Sequence, residues 1–305
     1  MTAATAATAE TVLVTGAAGF LGQSLVARLE QTGAQVVGTS RRPPGPDDPA
    51  DRRVLDVEDA DAVARLFEEV RPTTVFHLAS YVRGTRDLSA VLPTFRANLA
   101  SAVHVLTAAS QTGCRRVVMA ASMEELPLDQ PARFPYAVAK RAASEYARFF
   151  QNAYGLSVIS ARIGMAYGPG QRDVSKLVPH VILSQLEGRA PRLASGGRRA
   201  DWIFVDDVAE AFVACMAAPR LDDTVVEIGS GVGTSVGEVA DRLTAIMGGP
   251  PAEKGALADR ANDRDVVTDA GATARRIGWR AGISLDEGLR RSVVWYRAER
   301  AAGRL

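Results

Sequence analysis

Short β-branched runs alternate with amphipathic stretches through the first half of the chain. "TVLVT" begins at Thr11, "QVVGT" at Gln35, "TVFHLA" at Thr74 and "RRVVMAA" at Arg115, with helical spacing after Phe20, near Ala60 and through Val103. This alternation predicts βαβ units, and hence an α/β fold with a doubly wound parallel sheet and helices on both faces. The strand runs are apolar throughout rather than at every second position, which suits strands covered on both sides. A further helix is predicted from about Pro135, and "LSVISARI", from Leu156, supplies another strand.

After Gly168 the texture changes. "YGPGQRD", "RAPRLASGGRRAD" and "MGGPPAEKGALADRAND" are rich in Gly, Pro and charge, and the helices and strands between them follow no regular repeat. Residues 11–165 are therefore expected to form a nucleotide-binding domain to which later segments return. Residues 166–305 are expected to build mainly a smaller α/β lobe, at the carboxyl end of the sheet where open α/β folds bind ligands. Residues 1–10, with neither a basic region nor an apolar run, read as a frayed tail rather than a signal peptide.

Composition narrows the classes. The 305 residues are 47% hydrophobic and 23% charged, enough for a large core and an appended lobe. A net charge of +1, with no block of like charges, gives no nucleic-acid footprint. No apolar stretch approaches membrane-spanning length, so no membrane partner is expected. Cys114 and Cys215 stand far apart without neighbouring His or Cys, so two reduced thiols, no metal site and a cytoplasmic location are expected.

"VTGAAGFLG" sets Gly16, Gly19 and Gly22 directly after the first strand, around the helix opening at Phe20 and Leu21. The first glycine permits a tight turn, the second a close approach of backbone to a pyrophosphate, and the third close helix packing, with the helix N-terminus facing the phosphates. The second strand ends in Ser40, Arg41 and Arg42. An acid there would bind a ribose 2′-hydroxyl, whereas cations accommodate a 2′-phosphate. NADP(H) is therefore the expected cofactor, with NAD(H) the alternative.

The spacing Gly-x-x-Gly-x-x-Gly, followed by "YAVAK" from Tyr136 to Lys140, resembles the short-chain dehydrogenase/reductase superfamily. Length and the C-terminal lobe are similar to its extended branch, the NAD-dependent epimerase/dehydratase group, which handles mainly nucleotide sugars. The resemblance runs from Thr11 to about Tyr296. It implies a Rossmann sheet, a nucleotide-sugar substrate and a homodimer built from the helices containing Asn98–Ala109 and Tyr136–Phe150. It also implies adenine contacts from Asp56 and Val57, a cofactor floor at Leu78, Ala79 and Ser80, and support from Asn98. Substrate contacts are implied for Met123, Glu124, Arg162, Met165 and Arg199. Two positions depart from the pattern: Met165 stands where Asn is frequent, and "RADW" puts Ala200 in an arginine position with Arg199 one place earlier.

The same resemblance makes Ser122, Tyr136 and Lys140 the catalytic set. Tyr136 and Lys140 stand four apart on the predicted helix and share a face. The lysine, with the charge of an oxidised nicotinamide, is expected to lower the tyrosine from about 10, fitting it to exchange a proton with a substrate oxygen. In "SMEEL", Met123 cannot serve as the acid a 4,6-dehydratase uses, which leaves Glu124, with Glu125 adjacent and the register between the two open. The pattern is most similar to GDP-4-keto-6-deoxy-hexose reductases, so NADPH-dependent reduction of a nucleotide-linked 4-keto-6-deoxy sugar is the expected activity. An epimerase, or a 4,6-dehydratase using Glu124, is the alternative. A dinucleotide sensor is the rival outside catalysis, and an intact Ser-Tyr-Lys set speaks against it.

Overall fold

The structure, a computed structural model, describes residues 10–45, 51–125, 132, 134–258 and 264–305. Most of the expected tail, residues 1–9, lies outside the described residues. The chain forms two compact units, Met1–Ala161 with Cys215–Val225, and Arg162–Ala214 with Val226–Leu305.

In the first unit, β1 (Thr11–Thr15), α1 (Phe20–Glu30), β2 (Gln35–Ser40), β3 (Arg52–Val54), α2 (Ala60–Val70) and β4 (Thr74–His77) form the first winding. A helical run follows: α3 (Val91–Thr94), a π-helical stretch (Phe95–Ala100) and α4 (Ser101–Gln111). Then come β5 (Arg116–Ser122), α5 (Pro135–Tyr154) and β6 (Ser157–Ile163). The seven-stranded sheet has the order β3-β2-β1-β4-β5-β6-β9, where β9 is Val225–Ile228. β1 pairs in parallel with both β2 and β4, and β4 pairs in parallel with β5. The order reverses between β1 and β4, and the crevice beyond their carboxyl ends is where such sheets bind a dinucleotide.

The apolar strand runs are explained by burial on two faces. Leu13, Val75, Val117 and Val158 join Val63 and Phe67 of α2, Leu106 of α4 and Phe150 of α5 in one core cluster. Their strand neighbours Val12, Val14, Phe76 and Val118 are equally buried. α5 begins with Pro135 at its first turn, where a missing N–H costs nothing.

The entry to β5 carries a buried charge. Arg116 donates to the carbonyls of Cys215 (2.8 Å), Met216 (3.0 Å), Ala218 and Pro219 (3.1 Å), and to Ser157 Oγ. These carbonyls close α7 (Val205–Ala217), whose last turn has no helical donors left to meet them. The guanidinium therefore ties residues 215–219 to the main segment of the first unit.

The second unit holds β7 (Met165–Tyr167), α6 (Leu177–Leu186), β8 (Arg199–Phe204), most of α7, β10 (Gly233–Ser235), α8 (Val236–Met247), α9 (Ala270–Ile277) and α10 (Leu285–Ala301). Its three strands form a small sheet of order β10-β8-β7. No described helix is long and apolar enough to cross a membrane.

Candidate active site

Gly16, at φ +70, lies against the chain leaving β4: a Cβ added there would come within 2.7 Å of the Ala79 nitrogen and 2.9 Å of the Leu78 carbonyl carbon. A Cβ on Gly22 would meet the Gly16 oxygen at 2.2 Å. No larger residue fits either place. Gly19 caps α1 with extended backbone and no side-chain bond, so the turn that starts with Phe20 and Leu21 offers its N–H groups to an anion. The loop suits a pyrophosphate.

A buried relay fixes the floor of this crevice. Ser101 Oγ donates to the Ala97 carbonyl at 2.7 Å and lies 3.2 Å from His77 Nε2. His77 Nδ1 is 2.8 Å from Thr15 Oγ1, which also accepts the Ala79 N–H at 3.3 Å. One arrangement satisfies every member: Nε2–H donates to Ser101, and the Thr15 hydroxyl donates to Nδ1. His77 stays neutral, because burial first, then Lys140 and His104, push it down to about 3.

Asn98 sits in the π-helical stretch, where the wider turn breaks ordinary helical register. Its Oδ1 accepts the Ser80 hydroxyl (2.9 Å) and the Tyr81 N–H (2.7 Å), while Nδ2 donates to the Tyr81 carbonyl (2.9 Å). These contacts hold the segment after β4. Asp56 is exposed and accepts the Glu58 N–H in a turn, while Val57 is buried and its carbonyl meets His104 Nδ1.

Ser40 Oγ donates to the Arg42 carbonyl and accepts from Arg52 Nη2 at 2.8 Å. Arg41 and Arg42 are exposed beside it.

Ser122 is the last residue of β5 and Tyr136 the second of α5, and the Ser122 side chain lies near enough to Tyr136 to act on its proton affinity. Lys140 Nζ donates to the Ala120 carbonyl at 2.7 Å and lies 5.8 Å from the Tyr136 ring centre. Burial lowers Lys140 to about 8, with Glu125 opposing the fall. The expected lowering of Tyr136 invokes the charge of an oxidised nicotinamide as well as the lysine, and the chain by itself acts in the opposite direction. Burial, aided by Glu125 and Glu124, pushes Tyr136 up to about 12, and Ser122 offsets this only in part. The lysine alone does not lower the phenol, because it shares the pocket with two carboxylates and with little solvent.

The two glutamates of "SMEEL" part company. Glu124 is half-buried, like Met123, and its N–H donates to Ser122 Oγ at 3.2 Å. Glu125 is 4% exposed; Oε1 accepts the Ser122 N–H and Oε2 the Ser144 hydroxyl, both at 2.8 Å. Neither Glu125 nor Ser144 was among the expected site residues. Only the adjacent acid in the motif hinted at them.

The remaining expected residues lie in the second unit. Arg162 and Met165 are half-buried, at the end of β6 and the start of β7. Arg199 is exposed, donates to the Gly233 carbonyl and lies 3.9 Å from Glu238. Next to it, Asp201 accepts the N–H and hydroxyl of Ser230 (2.7 and 2.6 Å), the Gly231 N–H (2.9 Å), and the N–H and hydroxyl of Thr268 (3.1 and 2.5 Å).

Comparison with known proteins agrees with the fold. Residues 12–229 match the model of a family described as "NAD dependent epimerase/dehydratase family". The UDP-glucose 4-epimerase of Mycolicibacterium smegmatis is 30% identical, over 93% of this chain and 98% of its own. The dTDP-glucose 4,6-dehydratase 1 of Escherichia coli K12 is 27% identical, over 93% and 92%. Among solved structures, UDP-glucose 4-epimerase of Thermus thermophilus in complex with NAD superposes with a TM-score of 0.81 at 27% identity, covering 94% of this chain and 99% of its own.

Proposed function

The chain belongs to the NAD dependent epimerase/dehydratase family, as an NAD(P)-dependent enzyme of the extended short-chain dehydrogenase/reductase type, and from that premise we propose that it inverts carbon 4 of the hexose in a nucleotide sugar. One observation carries this choice over elimination of water. Dehydration needs an acid and a base beside the Ser-Tyr pair, and here Met123 fills one position while the neighbouring carboxylate, Glu125, is bonded to Ser122 and Ser144. Glu124 is then the one carboxylate of the motif left for an acid/base pair that needs two groups, whereas epimerisation asks only for Ser122, Tyr136 and Lys140.

When bound, the oxidised nicotinamide supplies the hydride acceptor and a positive charge that favours the Tyr136 phenolate. Tyr136 would accept the proton of the 4-hydroxyl as carbon 4 is oxidised to the ketone, and would return it to the same oxygen when that carbon is reduced again on its opposite face. Ser122 holds the reacting oxygen by a hydrogen bond. Lys140 keeps a positive charge near the phenolate below pH of about 8. The backbone of Gly16, Gly19 and Gly22 would hold the pyrophosphate. Arg41 and Arg42, following Ser40 at the end of β2 where the sequence places no acid, support acceptance of NADP(H) as well as the NAD that the Thermus thermophilus relative binds. Reduction of a 4-keto sugar, expected from the sequence, uses the same three residues but consumes cofactor. The dehydratase relatives keep a second reading open for Glu124.

The test supplies UDP-glucose and dTDP-glucose separately, without added reductant. A 4-epimer is the expected product, and Tyr136→Phe should lower turnover roughly 10²-fold or more while cofactor still binds. A 4-keto-6-deoxy product would establish the dehydratase, stoichiometric NADPH use with a 4-keto substrate the reductase, and near-normal turnover of Tyr136→Phe would remove the tyrosine from the chemistry.

We also propose a symmetric homodimer through the outer faces of the helical run 91–100 and of α5. Leu92, Phe95, Val138 and Phe149 are exposed there, and Phe95 and Val138 line one groove. A second copy would bury the same residues on both sides. Light scattering should give twice the chain mass, falling to one in Phe95→Asp; a monomeric wild type would exclude the interface.

A further inference from the structure

We propose that Glu125 is a positioning residue of the active site: it holds Ser122 at the end of β5, fastens it to α5, and presents a fixed negative charge to Tyr136 and Lys140. The inference rests on the assignment of those three residues to the chemistry. Its basis is geometric. The Glu125 carboxylate joins a strand-end N–H to a helix hydroxyl, 2.8 Å to each, and the Glu125 N–H returns to the Ser122 carbonyl at 3.0 Å. Ser122 is thus gripped by both of its backbone polar groups. Ser144, the far anchor, lies one helical turn beyond Lys140, as Lys140 lies one turn beyond Tyr136. A single buried group therefore sets the spacing between the strand that carries Ser122 and the helix that carries its two partners. An apolar residue of equal size would fill the volume but leave the Ser122 N–H without its acceptor.

The charge has its own effect. Tyr136 and Lys140 face Glu125 from α5 and Glu124 belongs to the same turn, while His77 of β4, with His104 of α4 near it, faces Lys140 and stays neutral. Glu125 raises both Tyr136 and Lys140. Removing the charge should let both groups lose their protons at lower pH.

Glu125→Gln separates the two roles. The amide oxygen still accepts the Ser122 N–H and the amide nitrogen donates to Ser144 Oγ, whose hydroxyl turns away, so the geometry survives without the charge. In the full-length protein labelled with 15N-serine, the Ser122 amide should stay protected from hydrogen exchange in Glu125→Gln and lose protection in Glu125→Ala. With the nucleotide sugar turned over by the wild type, Glu125→Gln should shift the kcat–pH profile roughly one unit towards lower pH. Glu125→Ala should lose about tenfold or more in kcat with KM little changed. An unshifted profile in Glu125→Gln, or unchanged Ser122 protection in Glu125→Ala, overturns the proposal. If the wild type turns over no nucleotide sugar, the assigned chemistry fails, and the exchange measurement alone still decides whether Glu125 holds Ser122.

Discussion

Two buried carboxylates, Glu125 in the first unit and Asp201 in the second, show how the same group serves different ends. Asp201 is 2% exposed and accepts three backbone N–H groups and two hydroxyls, from Ser230, Gly231 and Thr268. Its charge is spread over fixed donors that do not titrate. Glu125 is buried to a similar degree, but its hydrogen-bonding is shared with the Coulombic pull it exerts on Tyr136 and Lys140. A carboxylate surrounded by donors is a brace, and one set beside titratable groups adjusts them.

The contrast is broken most severely by Asp201→Ala. Five donors lose their acceptor at once, so chemical denaturation should show a loss of roughly 3–5 kcal/mol. A loss below about 1 kcal/mol would mean that water replaces the carboxylate. Glu125→Ala removes the acceptors of the Ser122 N–H and the Ser144 hydroxyl, and the same measurement should give about 1–3 kcal/mol. If its cost equals that of Asp201→Ala, the two sites do not differ in kind.

A third effect follows from Lys140, whose folded value of about 8 lies below its unfolded 10.5. Between these, the unfolded chain holds a proton that the folded chain has released. Stability should therefore rise with pH across that window and be lost as pH falls through about 8, by at most about 1.4 kcal/mol per pH unit. Urea midpoints at several pH values should show this slope in the wild type and not in Lys140→Met; equal slopes would place the lysine in an unstrained environment. The smallest effect concerns Arg41 and Arg42, both exposed. Changing both to Ala should weaken NADP(H) relative to NAD(H) by about tenfold, roughly 1.4 kcal/mol, read by titration calorimetry. An unchanged ratio would assign them to solvation.

Features set by near neighbours were legible in the sequence. The strand runs at Thr11, Gln35 and Thr74, the Gly16–Gly22 loop and the four-residue step from Tyr136 to Lys140 all depend on local spacing. Features set by distant partners were not. Glu125 and Glu124 are indistinguishable until Ser144, nineteen positions on from Glu125, closes over one of them. "RADW" reads as a displaced arginine, whereas its aspartate gathers donors as far away as Thr268. The direction of the Tyr136 shift depends on how little solvent reaches a pocket shared by one cation and two carboxylates, and no spacing rule encodes that.

Arg116 has a consequence for biosynthesis. Its acceptors at residues 215–219 emerge from a ribosome roughly 60 residues after Ala161, the last residue of the first unit's main segment. At about 5–20 residues per second, that is a delay of roughly 3–12 s. During it the guanidinium at the start of β5 lacks its carbonyls and the sheet lacks β9. Translation speed through codons 162–228 should therefore govern how long the nascent chain exposes the outer edge of β6.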